Sequence, residues 1–245
     1  MLPMPARLPD FLGLGTQKGG TTSLHQLLHA HPQVHIPAAK ELHYFDLQPE
    51  QPAHWYAQHF ERSSTAQLCG EITPFYLFHP DVPGRIQALL PNVKLLVLLR
   101  DPVERALSQV FHARKRGYEQ LEPEAAIAAE ADRLASGETI HLQKHSYVAR
   151  SRYLEQLERY EALFPNSQML VLQSEALFGE PEPIWQQLQR FLDLETVPMP
   201  SLPVANAGDG ASRSVDPALR AHLRTLLATT APGVRERYGF GWDWA

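Results

Sequence analysis

Cysteine is nearly absent from this chain of 245 residues, which has only Cys69. A lone cysteine cannot close an intramolecular disulfide, and it argues against a metal site built from thiolates. Free cysteine is among the most buried residue types, so we expect Cys69 to be a small residue of the core.

An excess of positive charge is also missing, because 22 Lys and Arg stand against 27 Asp and Glu and give a net charge of −5. A weakly acidic chain has no general field that attracts nucleic acid, so no nucleic-acid partner is expected. Any polyanionic ligand must therefore be bound by a local group of hydrogen-bond donors.

Long apolar runs are lacking as well. No segment approaches the roughly 18–20 apolar residues that a membrane-spanning helix needs, so no membrane partner is expected. The first nine residues, MLPMPARLP, lack the apolar core of a signal peptide. We therefore expect a cytoplasmic location.

A pattern of metal ligands is not evident either. His29, His31 and His35 are close in sequence, but no acidic or thiolate residue accompanies them and Pro32 interrupts their spacing. The sequence therefore predicts no metal.

The chain does contain alternating strand and helix patterns. Apolar runs predict strands at residues 11–15, 68–72, 94–99 and 169–173. The run at 94–99 is almost continuously apolar, as expected for an inner parallel strand covered on both faces. Strands that alternate with helices predict an α/β fold: a single domain over residues 1–245, with a central parallel sheet and helices on both faces.

Capping residues mark several of the predicted helices. Asp101 at the N-cap, Pro102 in the first turn and Glu104 three residues after the cap predict a helix that ends near Gly117. A helix also opens near Thr21 and stops before Pro32. Further helices are predicted at 122–136, 151–163, 183–192 and 217–227, the last capped by Asp216.

A glycine-rich loop, GTQKGGTT at residues 15–22, follows the first predicted strand. Strand, glycine turn and helix N-terminus in this order make an anion site, because free amide groups converge there. The loop is not a Walker A motif, whose lysine directly precedes the hydroxyl that holds magnesium. Lys18 instead precedes the glycines, and the strand at 94–99 is followed by Arg100 rather than by an acidic residue. This order weakens a kinase or ATPase interpretation.

Three motifs and one further segment together resemble one family. Residues 15–24, GTQKGGTTSL, resemble the 5′-phosphosulfate loop of sulfotransferases that use 3′-phosphoadenosine 5′-phosphosulfate (PAPS), and residues 99–108, LRDPVERALS, resemble their 3′-phosphate motif. Residues 40–46, KELHYFD, resemble the K-E-x-H-[FY]-F-D segment of the heparan sulfate sulfotransferase branch, and residues 70–76, GEITPFY, match a segment seen there. The resemblance implies a P-loop-like α/β fold, PAPS as donor with PAP as product, and no required metal.

The resemblance also implies roles for individual residues. Lys18 would stabilise the leaving phosphate oxygen, and Glu41 would be the general base that takes the proton of the acceptor. His43 and Asp46 would orient the site or the acceptor. The residues expected to bind the donor are Lys18, Gly19, Gly20, Thr21, Thr22, Ser23, Arg100, Ser108 and Arg213, with Arg100 and Ser108 on the 3′-phosphate.

Several alternatives stay open. A P-loop small-molecule kinase would need ATP with magnesium, and a non-catalytic module would bind PAP or PAPS without using Glu41. The acceptor is left open between hydroxyl and amine groups of a carbohydrate-like or small molecule. Residues 114–116, RKR, would meet an anionic acceptor or form a solvated helix end that the helix dipole favours. Arg105 is expected to be structural.

Overall fold

Five short strands form one sheet in the computed structural model of the chain, which describes residues 7–61, 67–201 and 215–244. The strands are β1 (Phe11–Gly15), β2 (Val34–His35), β3 (Leu68–Ile72), β4 (Lys94–Leu99) and β5 (Met169–Gln173). Their order is β2-β3-β1-β4-β5; β1 pairs in parallel with β3 and β4, and β2 pairs in parallel with β3. The predicted α/β fold with a central parallel sheet is therefore confirmed. Four strands have the predicted bounds, and the two-residue β2 was not predicted.

The helices are α1 (Thr21–Ala30), α2 (Ala53–Ala57), α3 (Val82–Leu89), α4 (Pro102–Lys115), α5 (Pro123–Ala128), α6 (Glu130–Ala135), α7 (Thr139–Lys144), α8 (Tyr153–Glu161), α9 (Ser174–Gly179), α10 (Pro181–Phe191), α11 (Pro217–Leu226) and α12 (Thr230–Tyr238). The region 122–136 holds two helices rather than one. α10 begins two residues earlier than predicted, because Pro181 occupies a first-turn position where its missing N–H is not needed. Within the described ranges, no helix combines the length and the apolar composition required to cross a membrane.

The chain divides into two compact units, one of Met1–Leu98 with Gln156–Ala205 and one of Leu99–Glu155 with Asn206–Ala245. The first unit carries the sheet as far as Leu98, and the second carries α4 to α7, α11 and α12. That residues 1–245 form a single domain stays a prediction.

The core of the first unit surrounds the central strands. All five residues of β1 are buried, so both faces of this strand are covered. One apolar cluster brings Phe11 of β1 together with Leu27 of α1, Leu96 of β4 and Trp185 of α10. Cys69 is buried in β3, as expected for a small residue of the core.

The approach of β1 and β3 depends on one missing side chain. Phe11 pairs with Gly70 in the register of the two strands. A Cβ atom at Gly70 would lie 2.3 Å from the Cε2 and Cζ atoms of the Phe11 ring. The ring therefore occupies the space that any other residue at position 70 would need.

The second unit has a core of its own, in which α4 contributes Ala106, Leu107 and Val110. These side chains cluster with apolar residues of α5 and α11. α4 begins as predicted, because Asp101 Oδ1 accepts hydrogen bonds from the N–H groups of Val103 (2.8 Å) and Glu104 (3.0 Å).

Candidate active site

The glycine-rich loop connects β1 to α1 and is fastened to β4. Thr16 donates to the Leu98 carbonyl twice, from its N–H over 2.7 Å and from its hydroxyl over 3.1 Å. Within the loop, Gly19 N–H donates to Thr16 O over 3.0 Å. The predicted strand–loop–helix arrangement is therefore present, with the N-terminal amide groups of α1 at the end of the loop.

The adjacent glycines Gly19 and Gly20 are both required by the local packing of the loop. A Cβ atom at Gly19 would lie 2.4 Å from Thr16 Oγ1 and 2.9 Å from the Leu98 carbonyl oxygen. Gly20 has φ 92°, in the left-handed region that favours glycine, and the Phe178 ring lies beside it. Lys18 also has a positive φ of 68°, so a non-glycine residue adopts this unusual conformation at the position assigned to the leaving phosphate.

The first turn of α1 contains three of the predicted donor-binding hydroxyls, on Thr21, Thr22 and Ser23. The Oγ atom of Ser23 is buried and has no hydrogen-bond partner among the described residues. A buried hydroxyl without a partner in the first turn of a helix fits a site for a bound phosphate, which would satisfy it.

The segment 40–46 lies beside this helix, because Lys40 Nζ donates to Thr22 Oγ1 over 2.7 Å. The same ammonium group lies 4.0 Å from Glu41 Oε1. His43 Nδ1 lies 2.9 Å from Asp46 Oδ2, and His43 Nε2 lies 3.7 Å from Glu41 Oε2. The structure therefore brings the candidate base Glu41 together with His43 and Asp46, the two residues expected to orient the site or the acceptor, and it adds Lys40 to them.

His43 is held in its charged form. Burial alone would lower the pKa of His43, but hydrogen bonds and charges from Asp46 and Glu41 raise that pKa to about 9. The side chain of Asp46 is fully buried, whereas 23% of the His43 side chain and 37% of the Glu41 side chain are exposed. The cluster thus has a buried anion, a protonated imidazole and an accessible carboxylate, in that order from the interior outward.

The backbone of this segment is strained at two residues. Glu41 has φ 57° and His43 has φ 54°, although neither is glycine. A non-glycine residue in this region costs on the order of 1–3 kcal/mol and persists only where the surrounding structure enforces it. Such outliers cluster at functional sites, and these two fall on the candidate base and its neighbour.

A buried carboxylate under the segment was not assigned a role by the sequence. Glu71 of β3 is 2% exposed and accepts hydrogen bonds from Tyr56 OH (2.9 Å), Tyr76 OH (2.8 Å), Thr73 Oγ1 (2.6 Å) and Leu42 N–H (3.3 Å). Burial raises the pKa of Glu71, and these four donors oppose that rise. The signal available in the sequence was a single acidic residue inside the predicted strand at 68–72.

The predicted 3′-phosphate residues lie in the second unit. Arg100 directly follows β4, is half-buried, and its carbonyl accepts a hydrogen bond from Tyr153 OH over 2.7 Å. Ser108 is a half-buried residue of α4. Arg213, the last predicted donor contact, lies outside the described residues.

Arg105 is structural, as expected. Its side chain is fully buried and donates to Ser151 Oγ over 2.6 Å, to Gln109 Oε1 over 2.7 Å and to the Tyr147 carbonyl. Burial lowers the pKa of Arg105 to about 10. Of the basic run 114–116, Arg114 pairs with Glu122 over 2.5 Å.

Among the histidines 29, 31 and 35, His31 is buried and takes part in the packing of the first unit. Gln33 N–H donates to His31 Nδ1 over 3.1 Å, and the His31 ring packs against Trp185. In residues 7–61, 67–201 and 215–244, no three His, Cys, Asp or Glu side chains converge as metal ligands.

Comparison with known families gives a direct match. A family model described as "Sulfotransferase domain" matches residues 8–202. The chain is 28% identical over 268 residues to the membrane-associated sulfotransferase kil1 of Dictyostelium discoideum, a match that covers 78% of this chain and 57% of the relative. It is 31% identical over 193 residues to heparan sulfate glucosamine 3-O-sulfotransferase 5 of Homo sapiens, covering 77% and 54%. The chain thus spans about half the length of these curated relatives.

Solved structures agree with this match. A sulfotransferase from Alicyclobacillus acidocaldarius superposes with a TM-score of 0.83 at 26% identity, covering 96% of this chain and 98% of that chain. A mouse sulfotransferase in complex with PAP gives a TM-score of 0.61 at 12% identity, covering 93% and 85%, and this likeness concerns the fold alone. The resemblance to PAPS-dependent sulfotransferases and their heparan sulfate branch is confirmed by the family match and the relatives. The chain therefore belongs to the sulfotransferase domain family.

Proposed function

We propose that this protein transfers a sulfuryl group from PAPS to a hydroxyl or amine group of an acceptor. The observation that carries the proposal is the Lys40 bridge, which holds the Glu41–His43–Asp46 cluster beside the first turn of α1. A base beside an anion-binding helix terminus is the arrangement that this chemistry requires.

In this proposal the donor is bound at its two charged ends. The amide groups of the loop and the hydroxyls of Thr21, Thr22 and Ser23 bind the 5′-phosphosulfate, and the orphaned Ser23 hydroxyl supports that assignment. Arg100 and Ser108 bind the 3′-phosphate, for which a guanidinium fork is suited. Arg213 is proposed as a further donor contact on the sequence alone.

Glu41 takes the proton of the acceptor as the acceptor oxygen or nitrogen attacks sulfur. The bond between sulfur and the bridging oxygen breaks, its electron pair stays on the 5′-phosphate, and PAP leaves. Lys18 stabilises the charge that grows on that oxygen. The protonated His43 keeps the Glu41 carboxylate in place, and Asp46 keeps His43 charged. No residue in this scheme requires a metal.

The proposed acceptor class is supported by the relatives rather than by the site. One relative is named for 3-O-sulfation of a glucosamine in heparan sulfate, which favours a carbohydrate-like hydroxyl. The net charge of −5 disfavours a heavily sulfated polymer. We also propose a cytoplasmic location, which fractionation of cells that express the protein would test.

The first experiment measures the binding of PAP by calorimetry without added metal, and of ATP with magnesium. Tight PAP binding that weakens tenfold or more in Lys18→Ala and Arg100→Ala is expected, since each removes one charged contact to phosphate (about 1.5–3 kcal/mol). Binding of ATP with magnesium in place of PAP would support the kinase alternative and overturn the proposal.

The second experiment separates catalysis from simple binding. Transfer of labelled sulfate from PAPS to a heparan sulfate oligosaccharide, a phenol and a primary amine is compared in wild type, Glu41→Gln and Glu50→Gln. Glu50 is an exposed carboxylate of the same stretch and serves as the matched control. We expect only Glu41→Gln to lose rate, by about 10²–10⁴-fold. An unchanged rate in Glu41→Gln would favour a different base or a non-catalytic PAP-binding module.

A further inference from the structure

The buried side chains under residues 41–46 contact the backbone of that segment. Glu71 Oε2 accepts from the N–H of Leu42, which lies between the two strained residues Glu41 and His43. Tyr76 OH accepts from the N–H of Tyr44 over 2.8 Å and from the N–H of Phe45 over 3.4 Å. The same hydroxyl donates to Glu71 Oε1 over 2.8 Å. One connected set of hydrogen bonds therefore reaches three amides of the segment.

Glu71 is saturated by this set. A carboxylate offers about four acceptor positions, and Glu71 receives four donors, all of them hydroxyl or backbone N–H groups. A carboxylate so occupied at 2% exposure has no position left for the proton of an acceptor. Glu71 is thus placed to act on the backbone of the segment rather than on the substrate.

A buried acidic group is also a poor way to gain stability. Desolvation offsets what its hydrogen bonds contribute, and apolar replacements are often neutral or better. Aromatic packing already fills the surroundings: the rings of Tyr44 and Tyr56 stack 4.3 Å apart and the Phe45 ring meets Tyr76 edge-on. What an apolar residue could not supply is an acceptor for amides of a backbone in a disfavoured conformation.

We propose that Glu71 and Tyr76 are positioning residues that fix the left-handed backbone at Glu41 and His43 and so hold the two side chains together. The inference rests on the proposed function, because it gives Glu41 the role of base. Its structural part, the control of the Glu41–His43 geometry, can be measured without turnover.

The chain offers a matched pair of variants for the test. Tyr76→Phe and Tyr56→Phe each remove one fully buried hydroxyl that donates to Glu71 Oε1, and each keeps its ring. Only Tyr76 also accepts from the Tyr44 and Phe45 amides. A loss common to both variants reports on Glu71 and on general stability, and the difference between them reports on the segment.

Three measurements are made on the full chain: hydrogen exchange of residues 41–46, the pKa of the His43 imidazole by NMR, and kcat and KM with PAPS and whichever of the three acceptors (heparan sulfate oligosaccharide, phenol or primary amine) wild type sulfates fastest. We expect Tyr76→Phe to exchange faster at Tyr44, to lower the His43 pKa from about 9, and to lose about 10- to 100-fold in kcat, because displacing a positioned group by 1 Å has such an effect. PAP affinity should change less than about threefold, and Tyr56→Phe should show a smaller change in each measurement.

Equal effects of the two variants on exchange, on the His43 pKa and on kcat would overturn the inference, since only a shared structural role would remain. If Tyr76→Phe does not fold, Glu71→Gln replaces it and Thr73→Val replaces Tyr56→Phe; Thr73 Oγ1 donates to Glu71 alone among the contacts above. The proposed function fails separately, by unchanged turnover in Glu41→Gln. A Glu41→Gln loss with equal tyrosine variants would reject only the inference.

Discussion

Lys40 donates a hydrogen bond from Nζ to Thr22 Oγ1 over 2.7 Å while its charge lies 4.0 Å from Glu41 Oε1. Thr22 belongs to the segment that resembles the phosphosulfate loop, and Glu41 to the segment that resembles the base region. The Lys40 side chain therefore contacts both motifs. The sequence showed only their order along the chain.

Replacing Lys40 should weaken donor binding and the placement of Glu41, each by a modest amount. Lys40→Met removes a cation whose side chain is 36% exposed, and solvent screens such charges to about 1 kcal/mol or less. We expect PAP affinity to fall by up to about fivefold, with Lys40→Arg close to wild type. Calorimetry with Lys115→Met, an exposed cation at the end of α4, provides the control. A loss as large as that of Lys18→Ala would instead make Lys40 the main phosphate cation.

The raised pKa of His43 predicts a pH dependence of stability. The protonated ring favours the folded state, so its contribution is complete below the ordinary value of 6.5 and is lost as the pH rises through about 9. The contribution is on the order of 3 kcal/mol. NMR titration should place the His43 pKa near 9 in wild type and close to 6.5 in Asp46→Asn. Identical urea-unfolding curves of His43→Gln and wild type between pH 6.5 and about 9 would contradict the prediction.

Two glycine-to-alanine substitutions should have opposite effects on the free energy of unfolding. Gly20→Ala puts a side chain at φ 92° beside the Phe178 ring, which predicts a loss of about 1–3 kcal/mol and weaker PAP binding. Gly84 lies in α3, and a Cβ there would meet no atom of the described residues within 4 Å, so Gly84→Ala should stabilise by about 0.5–1 kcal/mol. Thermal unfolding measures both, and stabilisation by Gly20→Ala would be evidence against the loop conformation described above.

The second unit contains an ion pair that should resist acid. The Glu119 side chain is 1% exposed and contacts Arg133 Nη1 over 2.5 Å. Burial would raise the pKa of Glu119, but Arg133, the Leu121 N–H and Tyr147 OH lower it to about 2. This contribution is present above the ordinary value of 4.5 and is lost as the pH falls through about 2.

Arg133→Met should therefore lower the unfolding free energy at neutral pH by about 3–5 kcal/mol, because a buried carboxylate loses its cation. Denaturant unfolding measures the loss. The double variant Glu119→Gln/Arg133→Met should lose less than the single one, since no buried charge is left alone. A double variant less stable than Arg133→Met would show that Glu119 without its cation is not costly and would contradict the prediction.

The sequence predicted the strands well, because each strand but one is an apolar run long enough to be recognised. The exception, β2, has two residues and exists through its pairing with β3, so no local pattern could reveal it. The caps Asp101 and Asp216 were predictable because helix capping is also local. Each side chain accepts a hydrogen bond from the backbone N–H of the residue two positions later in the sequence. Element bounds set by local chemistry were readable, whereas those set by distant partners were not.

The candidate site shows the same division between features that the local sequence reveals and features that depend on distant partners. The resemblance of residues 40–46 to a family segment implied that Glu41, His43 and Asp46 act at one site, and the structure brings them together. The positive φ angles of Glu41 and His43 were not predictable, since neither residue favours that conformation. The groups that contact this backbone, Glu71 and Tyr76, come from a segment about thirty positions later, and only the fold shows what they touch.

The packing of Phe11 against Gly70 also restricts the order in which substitutions can accumulate. An aromatic ring at position 11 leaves no room for a Cβ at position 70, so a larger residue at 70 becomes acceptable only after residue 11 has become smaller. The reverse order passes through an overpacked intermediate, which typically costs about 1–3 kcal/mol. Position 70 adjoins Glu71, so this one-way dependence also limits substitution in the strand that carries the Glu71 carboxylate. Natural variation at position 70 should be found only in chains that have already lost the aromatic ring at position 11.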